Sequence, residues 1–122
     1  MKSVAVVATN RAERYGKQVV GHRSRKFQGE WAGQSGHLDF HGRGRVNLST
    51  GDDALTLELD TDNSEAARLE EVVGSHLARF GSKDGLVVSW NRESGEAGSV
   101  QGPYSEAAMK AFAEARQARQ NS

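Results

Sequence analysis

Two stretches of the sequence show the periodicity of an amphipathic helix, and in each a histidine continues the apolar stripe. The first helix is predicted over residues 11–26, and the second from about residue 63 to Phe80. The stripes consist of Tyr15, Val19, His22 and Lys26 in the first helix, and of Leu69, Val73, His76 and Phe80 in the second. Each helix therefore points an imidazole towards whatever it packs on, either as a structural residue or as part of a site.

Elsewhere the period changes from that of a helix to that of a strand, with apolar and polar residues in alternation. Strands are predicted in "SVAVV", "HLDF", "RVNLS", "ALTLELD" and "GLVVSW", and more weakly near residues 99–101. The segment "HGRG" is predicted to be a hairpin turn, and the glycine-rich "QGEWAGQSG" a loop. Ser105 can cap a last helix, because its hydroxyl can accept from the free N–H groups of the first turn.

This order predicts an α+β two-layer sandwich, in which an antiparallel sheet carries both long helices on one face. The strand–helix–strand–strand order recurs at an offset of 54 residues, through chance similarity or through duplication. We expect one domain over residues 1–102 and a tail helix over residues 103–122. Alternation sends polar side chains to the other sheet face, which is either plain solvent surface or a binding surface.

Composition narrows the classes of protein that the chain can belong to. The 122 residues include 16 basic and 16 acidic side chains, so long-range steering onto nucleic acid is not expected. No cysteine is present, which excludes disulfides, thiolate nucleophiles and cysteine-bound metals. The first apolar run is too short for a signal peptide or a membrane span, so we expect a cytoplasmic protein without membrane partners.

The charge is distributed unevenly although the total is neutral. Residues 10–26 contain six cations and one anion, whereas residues 52–71 contain eight anions and one cation. Both runs can be solvated faces. The basic run can also bind an anionic ligand, and the acidic run can form a partner surface.

The alternating "HLDFH" places two imidazoles and a carboxylate on one side of a predicted strand, in His37, Asp39 and His41. Such ligands suit zinc or iron. An extended strand separates the two histidines by about 13 Å, too far for one ion without a bend. Ordinary surface polarity is the alternative.

Catalytic motifs are not recognisable, since the chain has no nucleophile elbow and no phosphate-binding loop, and no cofactor is required by the sequence. Two tryptophans could stack on a flat ligand. Trp90 ends an apolar strand and is expected in the core. Trp31 lies in the predicted glycine-rich loop and is the better candidate for ligand binding.

Three segments, "RAERYGKQVVGHRSRK", "ALTLELD" and "LEEVVGSHLARFGSKDGLVVSW", resemble a bacterial family catalogued as domain of unknown function 2218. The resemblance covers about residues 3–90. It implies a small protein that occurs alone or fused to siderophore-interacting flavin reductases, and hence a link to iron acquisition. The signature positions that it implies are His22, Lys26, His76, Arg79 and Trp90.

Three functions follow as hypotheses. The first is a binding or accessory domain for an anionic ligand such as a ferric siderophore, because cationic side chains in a partly dry pocket bind carboxylate or catecholate. Its candidate residues are Arg14, His22, Lys26, His76 and Arg79. The second is an enzyme that uses a histidine as general acid or base. The third is an interaction module whose acidic helix or tail helix docks a flavin reductase.

Overall fold

The structure is a computed structural model that describes residues 1–24 and 26–121. Within these residues the chain forms seven strands and three α-helices. The strands are β1 (Lys2–Ala8), β2 (Gln28–Ala32), β3 (Ser35–Asp39), β4 (Gly44–Thr50), β5 (Ala54–Thr61), β6 (Val88–Arg92) and β7 (Ala97–Gln101). The helices are α1 (Ala12–Arg23), α2 (Asn63–Phe80) and α3 (Glu106–Asn121).

The seven strands form one antiparallel sheet in the order β2-β3-β4-β5-β1-β6-β7. Helix α1 packs on β2 to β5, whereas α2 packs on β5 to β7, and the two helices contact each other. The α+β sandwich with a C-terminal helix is thereby confirmed. The units β1-α1-β2-β3 and β5-α2-β6-β7 repeat the same order, with β4 between them.

The apolar core lies between the helices and one sheet face. The inward-pointing residues that alternation predicted on the central strands are all buried, namely Leu38, Phe40, Val46, Leu48, Leu55, Leu57 and Leu59. Trp90 is buried as expected. On the opposite face the side chains of β3, β4 and β5 are mainly polar, and Arg45, for example, donates to Asn47 Oδ1 at 3.2 Å. No helix in the described part of the chain combines the length and the apolar character needed to cross a membrane.

The glycine-rich segment is a hairpin of β2 and β3 rather than the predicted loop. Its glycines make room for Trp31, which packs partly buried against the core. A Cβ at Gly36 would lie 2.5 Å from Trp31 Cε3, and a Cβ at Gly16 of α1 would lie 2.5 Å from Trp31 Cη2. These glycines therefore permit close packing against an indole ring instead of breaking a strand.

Helix α1 ends at Arg23, three residues before the predicted end. The N–H groups of Lys26 and Phe27 both donate to the carbonyl of Arg23, at 3.0 and 2.9 Å, and close a turn. This turn buries Phe27 against Phe40, with ring centroids 4.8 Å apart. Lys26 consequently leaves the helical stripe. Arg25, counted in the basic run, lies outside the described residues.

A carboxylate of α2 is buried where the sequence predicted a solvated acidic run. Glu70 is 0 % exposed and accepts hydrogen bonds from Ser3 Oγ at 2.6 Å, from the Arg92 guanidinium at 3.1 Å and from the N–H and hydroxyl of Ser99 at 3.1 and 2.9 Å. Burial by itself raises the pKa of the Glu70 carboxyl. The hydrogen bonds from its three partners outweigh burial and lower that pKa to about 2.

Gly74, in the interior of α2, faces the buried side chain of Gln101. A Cβ at this position would lie 1.9 Å from Gln101 Oε1, which accepts the Trp90 indole N–H at 2.8 Å. We therefore expect Gly74→Ala to lower the free energy of unfolding by about 2 kcal/mol, because it displaces the amide and leaves the buried indole N–H without an acceptor. Urea denaturation measures the change.

Gly21 of α1 is the matched control, since a Cβ there meets no other element within 4 Å. Gly21→Ala is expected to stabilise the protein by up to about 1 kcal/mol, the usual gain in a helix interior. A similar gain in Gly74→Ala would contradict the tight packing of α2 on β7.

Candidate functional site

Helices α1, α2 and α3 surround a cleft of about 710 Å³. Its lining combines cationic, imidazole and apolar groups. Among the described residues, the cations are Lys17, Arg23, Arg79 and Arg116, the imidazoles are those of His22 and His76, and the apolar groups are Phe80 and Met109. None of the described residues that line the cleft carries a carboxylate.

The two histidines meet at the wall of this cleft. Val19 and Val73 bury the preceding turns of their helices, so the next stripe positions, His22 and His76, lie where α1 and α2 contact each other. Their ring centroids are 4.6 Å apart, with an interplanar angle of 32°. The Phe80 ring meets both edge-on, at 4.5 Å from His76 and 5.9 Å from His22.

His76 is 9 % exposed, and its Nε2 has no hydrogen-bond partner in the described part of the protein. Burial lowers the pKa of His76 to about 3, and the positive charges of Arg23, His22 and Arg79 contribute to the same shift. The ring is therefore neutral at pH 7. A buried imidazole held among cations without a carboxylate is not the usual structural histidine, whose ring nitrogens are paired.

The guanidinium groups of the cleft also have no carboxylate partner among the residues that the structure describes. Arg23 Nε is buried without a hydrogen-bond partner, and burial together with Arg79 lowers the pKa of the Arg23 guanidinium. The Arg79 guanidinium lies 4.4 Å from the centroid of the Phe112 ring in α3. Of the cleft cations, Lys17 alone has an ion-pair partner in the described part of the chain, the exposed Glu13 at 3.0 Å. The cleft thus has excess positive charge.

The structure brings together three of the six predicted ligand-binding residues, His22, His76 and Arg79. Arg14 is exposed about two turns before His22 and does not line the cleft. Lys26 lies beyond the end of α1, with its Nζ 5.9 Å from the Phe27 ring centroid. Trp31 packs against the core. Lys26 was expected at the site because periodicity does not show where a helix ends.

Several lining residues were missed by the sequence analysis. Arg23 lies next to His22 but off the apolar stripe, so the stripe did not select it. Helix α3 contributes Met109 and Arg116, and Phe112 lies between them in sequence. Residues spaced by three and four positions lie on one face of a helix. This spacing could have indicated that one face of the tail helix packs on the rest of the domain.

The three predicted metal ligands are not gathered around one point. His37 lies on the open sheet face, Asp39 Oδ1 accepts from the N–H of Gly42 at 3.1 Å, and His41 leaves the strand with φ of 58°. The His41 Nε2 instead lies 3.0 Å from the Lys26 carbonyl. In the described ranges no three histidine, aspartate or glutamate side chains are placed to hold a metal ion.

Comparison with known proteins assigns a family but no activity. The model of a family described as "Uncharacterized protein conserved in bacteria (DUF2218)" matches residues 4–91. The chain is also similar to the NMR structure of PA4090 from Pseudomonas aeruginosa, with a TM-score of 0.58 and 28% identity over 85% of this chain and 98% of that chain. No curated protein matches the chain. The cleft residues of α1 and α2 lie within the family match, whereas α3 lies beyond it.

Proposed function

The chain belongs to the bacterial family DUF2218, and we propose that its function is to bind a small organic anion in the cleft between α1, α2 and α3. One observation carries the proposal. Two buried nitrogens, Arg23 Nε and His76 Nε2, lack partners at a cleft whose described lining has cations and no carboxylate. Buried polar groups normally have hydrogen-bond partners. Two such nitrogens without partners, beside excess positive charge, favour an anionic ligand.

The size and lining of the cleft favour an organic ligand over a simple inorganic ion. Its volume of about 710 Å³ falls in the range of sites for small molecules. Phe80 and Met109 offer apolar contact for the body of such a ligand. The guanidinium groups of Arg23, Arg79 and Arg116 offer paired N–H donors for carboxylate or phosphate oxygens. A catecholate siderophore, the ligand class that the resemblance implies, belongs to the same chemistry.

Binding is favoured over acid–base catalysis by the environment of the histidines. A general base works best when its pKa lies near the working pH, whereas His76 has a pKa of about 3. No carboxylate is among the described residues that line the cleft beside the two imidazoles, so none is placed there to raise their basicity.

The test is an NMR titration of the ¹⁵N-labelled protein with inorganic pyrophosphate, citrate and a gallium(III) tris-catecholate, the diamagnetic analogue of a ferric one. We expect at least one probe to shift resonances of His22, His76 and Arg116. Arg116→Gln should weaken its binding by roughly tenfold, the usual effect of losing a charged hydrogen bond. Arg116 is exposed on α3, so the variant should keep the fold.

Arg45→Gln is the matched control, because it removes one positive charge from the exposed sheet face opposite the helices. If Arg45→Gln weakened binding as much as Arg116→Gln, the effect would be one of net charge rather than of the cleft. If none of the three probes shifted any resonance of the cleft residues at about 10 mM, well above the dissociation constants of most ligands, the proposal would be overturned.

A further inference from the structure

We infer that an anion enters the cleft together with one proton, which the imidazole pair of His22 and His76 holds against it. This inference rests on the anion-binding function proposed above and adds the protonation state in which the site is occupied. The proton comes from solvent and returns to it on release, so no other reactant is needed.

The geometry provides a place for the proton beside the ligand. The two rings lie 4.6 Å apart at one wall of the cleft, the His22 ring at its exposed rim and the His76 ring buried behind it. Because the rings are this close, one positive charge can be placed on either of them beside a bound ligand. The buried His76 Nε2 has no protein partner that already occupies it.

The empty cleft disfavours that proton. Among the described residues that line the cleft, the charged groups on all three helices are cationic, and Glu13, which pairs with Lys17, is not in this lining. The cations are Lys17 and Arg23 on α1, Arg79 on α2 and Arg116 on α3. Each adds positive potential at the rings, and burial withholds the water that would solvate a further charge. The buried His76 imidazole consequently remains neutral while the cleft is empty.

A bound anion offsets both the positive potential at the rings and the lack of solvation around them. Its negative charge lies among the same guanidinium groups and offsets their potential at the rings, and its oxygens can accept from an imidazolium N–H. By linkage, a ligand that favours the protonated pair binds more tightly as the pH falls. The cleft would therefore take up its ligand in mildly acidic solution and release it as the pH rises.

Sulfate is the probe for the test, because it stays fully ionised over the working range and any proton taken up belongs to the protein. Its affinity and the ring resonances of His22 and His76 are measured by NMR between about pH 7 and 5.5. We expect the affinity to rise by about tenfold across this range, together with imidazolium shifts in at least one ring. Arg45→Gln should retain this dependence.

Two variants test whether the imidazole pair holds the proton. His76→Gln and His22→Gln each remove one imidazole ring. His22 is exposed, so at least the His22→Gln variant should leave the fold unchanged. Each is expected to flatten the pH dependence. Sulfate binding that changes by less than about twofold with pH, without ring protonation, would overturn the inference while leaving anion binding intact. Failure of sulfate, pyrophosphate, citrate and the gallium(III) tris-catecholate to bind at any pH would overturn both.

Discussion

Glu70→Ala is expected to lower the free energy of unfolding by about 3–5 kcal/mol, the cost of breaking a buried ion pair from one side. The substitution leaves the Arg92 guanidinium, the Ser3 hydroxyl and the Ser99 N–H without their shared acceptor. These groups connect α2 to β1, β6 and β7, so the loss affects the packing of the helix on half of the sheet. Chemical denaturation at neutral pH measures the change.

Glu71→Ala is the control, since it removes an exposed carboxylate from the next position of the same helix. It should change stability by less than about 0.5 kcal/mol, as surface substitutions usually do. Glu70→Gln separates charge from shape and should fall between the two, because an amide retains one acceptor oxygen but cannot neutralise Arg92. Equal stability of Glu70→Ala and Glu71→Ala would contradict the buried network.

Acid is expected to destabilise the protein through two buried groups, His76 and Glu70, whose contributions begin to be lost at different pH values. His76 has a folded pKa of about 3 against about 6.5 for an unperturbed histidine, so the unfolded chain binds more protons below pH 6.5. Its contribution is fully present above about pH 6.5 and is lost as the pH falls towards 3. The loss between about pH 7.5 and 5 amounts to roughly 2 kcal/mol.

The second of these groups is Glu70. Its folded pKa of about 2 lies below the ordinary value of 4.5, so its contribution is present above about pH 4.5 and is lost as the pH falls through 2. The two windows overlap between about pH 4.5 and 3, but above about pH 5 only the contribution of His76 changes. Urea denaturation at a series of pH values, with anion-free buffers, distinguishes them.

His76→Leu is the variant that tests the contribution of His76. It should abolish most of the loss between about pH 7.5 and 5, and raise stability at pH 7.5 by about 1 kcal/mol, because it removes an unpaired buried polar atom. His37→Gln, which removes an imidazole from the open sheet face, is the matched control. An unchanged pH dependence in His76→Leu would show that His76 is not buried neutral in the folded protein.

Helix α2 thus carries two buried ionisable side chains with opposite environments. Glu70 is fully hydrogen-bonded and connects elements of the fold, whereas His76 has an unpaired nitrogen beside a cationic cleft. Complete pairing is what a structural group requires. Incomplete pairing costs stability, and such sites persist where a ligand completes them. On this basis we place the proposed site at the histidine and not at the glutamate.

Local sequence patterns determined much of this architecture. The alternation in "ALTLELD" requires one buried and one polar face, and the stripes through Val19 and Val73 require helices that pack on that buried face. The same stripes placed His22 and His76 where the two helices pack, and there His76 is buried while His22 lies exposed at the rim of the cleft. These predictions succeeded because the side-chain direction of a residue within a helix or strand follows from the period of that element alone.

Only the tertiary structure decided which of these groups meet. The hairpin of β2 and β3 depends on an indole that packs over glycines of two different elements, and the burial of Glu70 depends on Ser3 and Arg92, which are distant in sequence. The cleft likewise needs α1, α2 and α3 to come together. The periodicity of apolar and polar residues indicates which way a side chain points. It carries no information about the partner that another element places opposite that side chain. For that reason the histidine stripes followed from the sequence, whereas the cationic site around them followed from the fold.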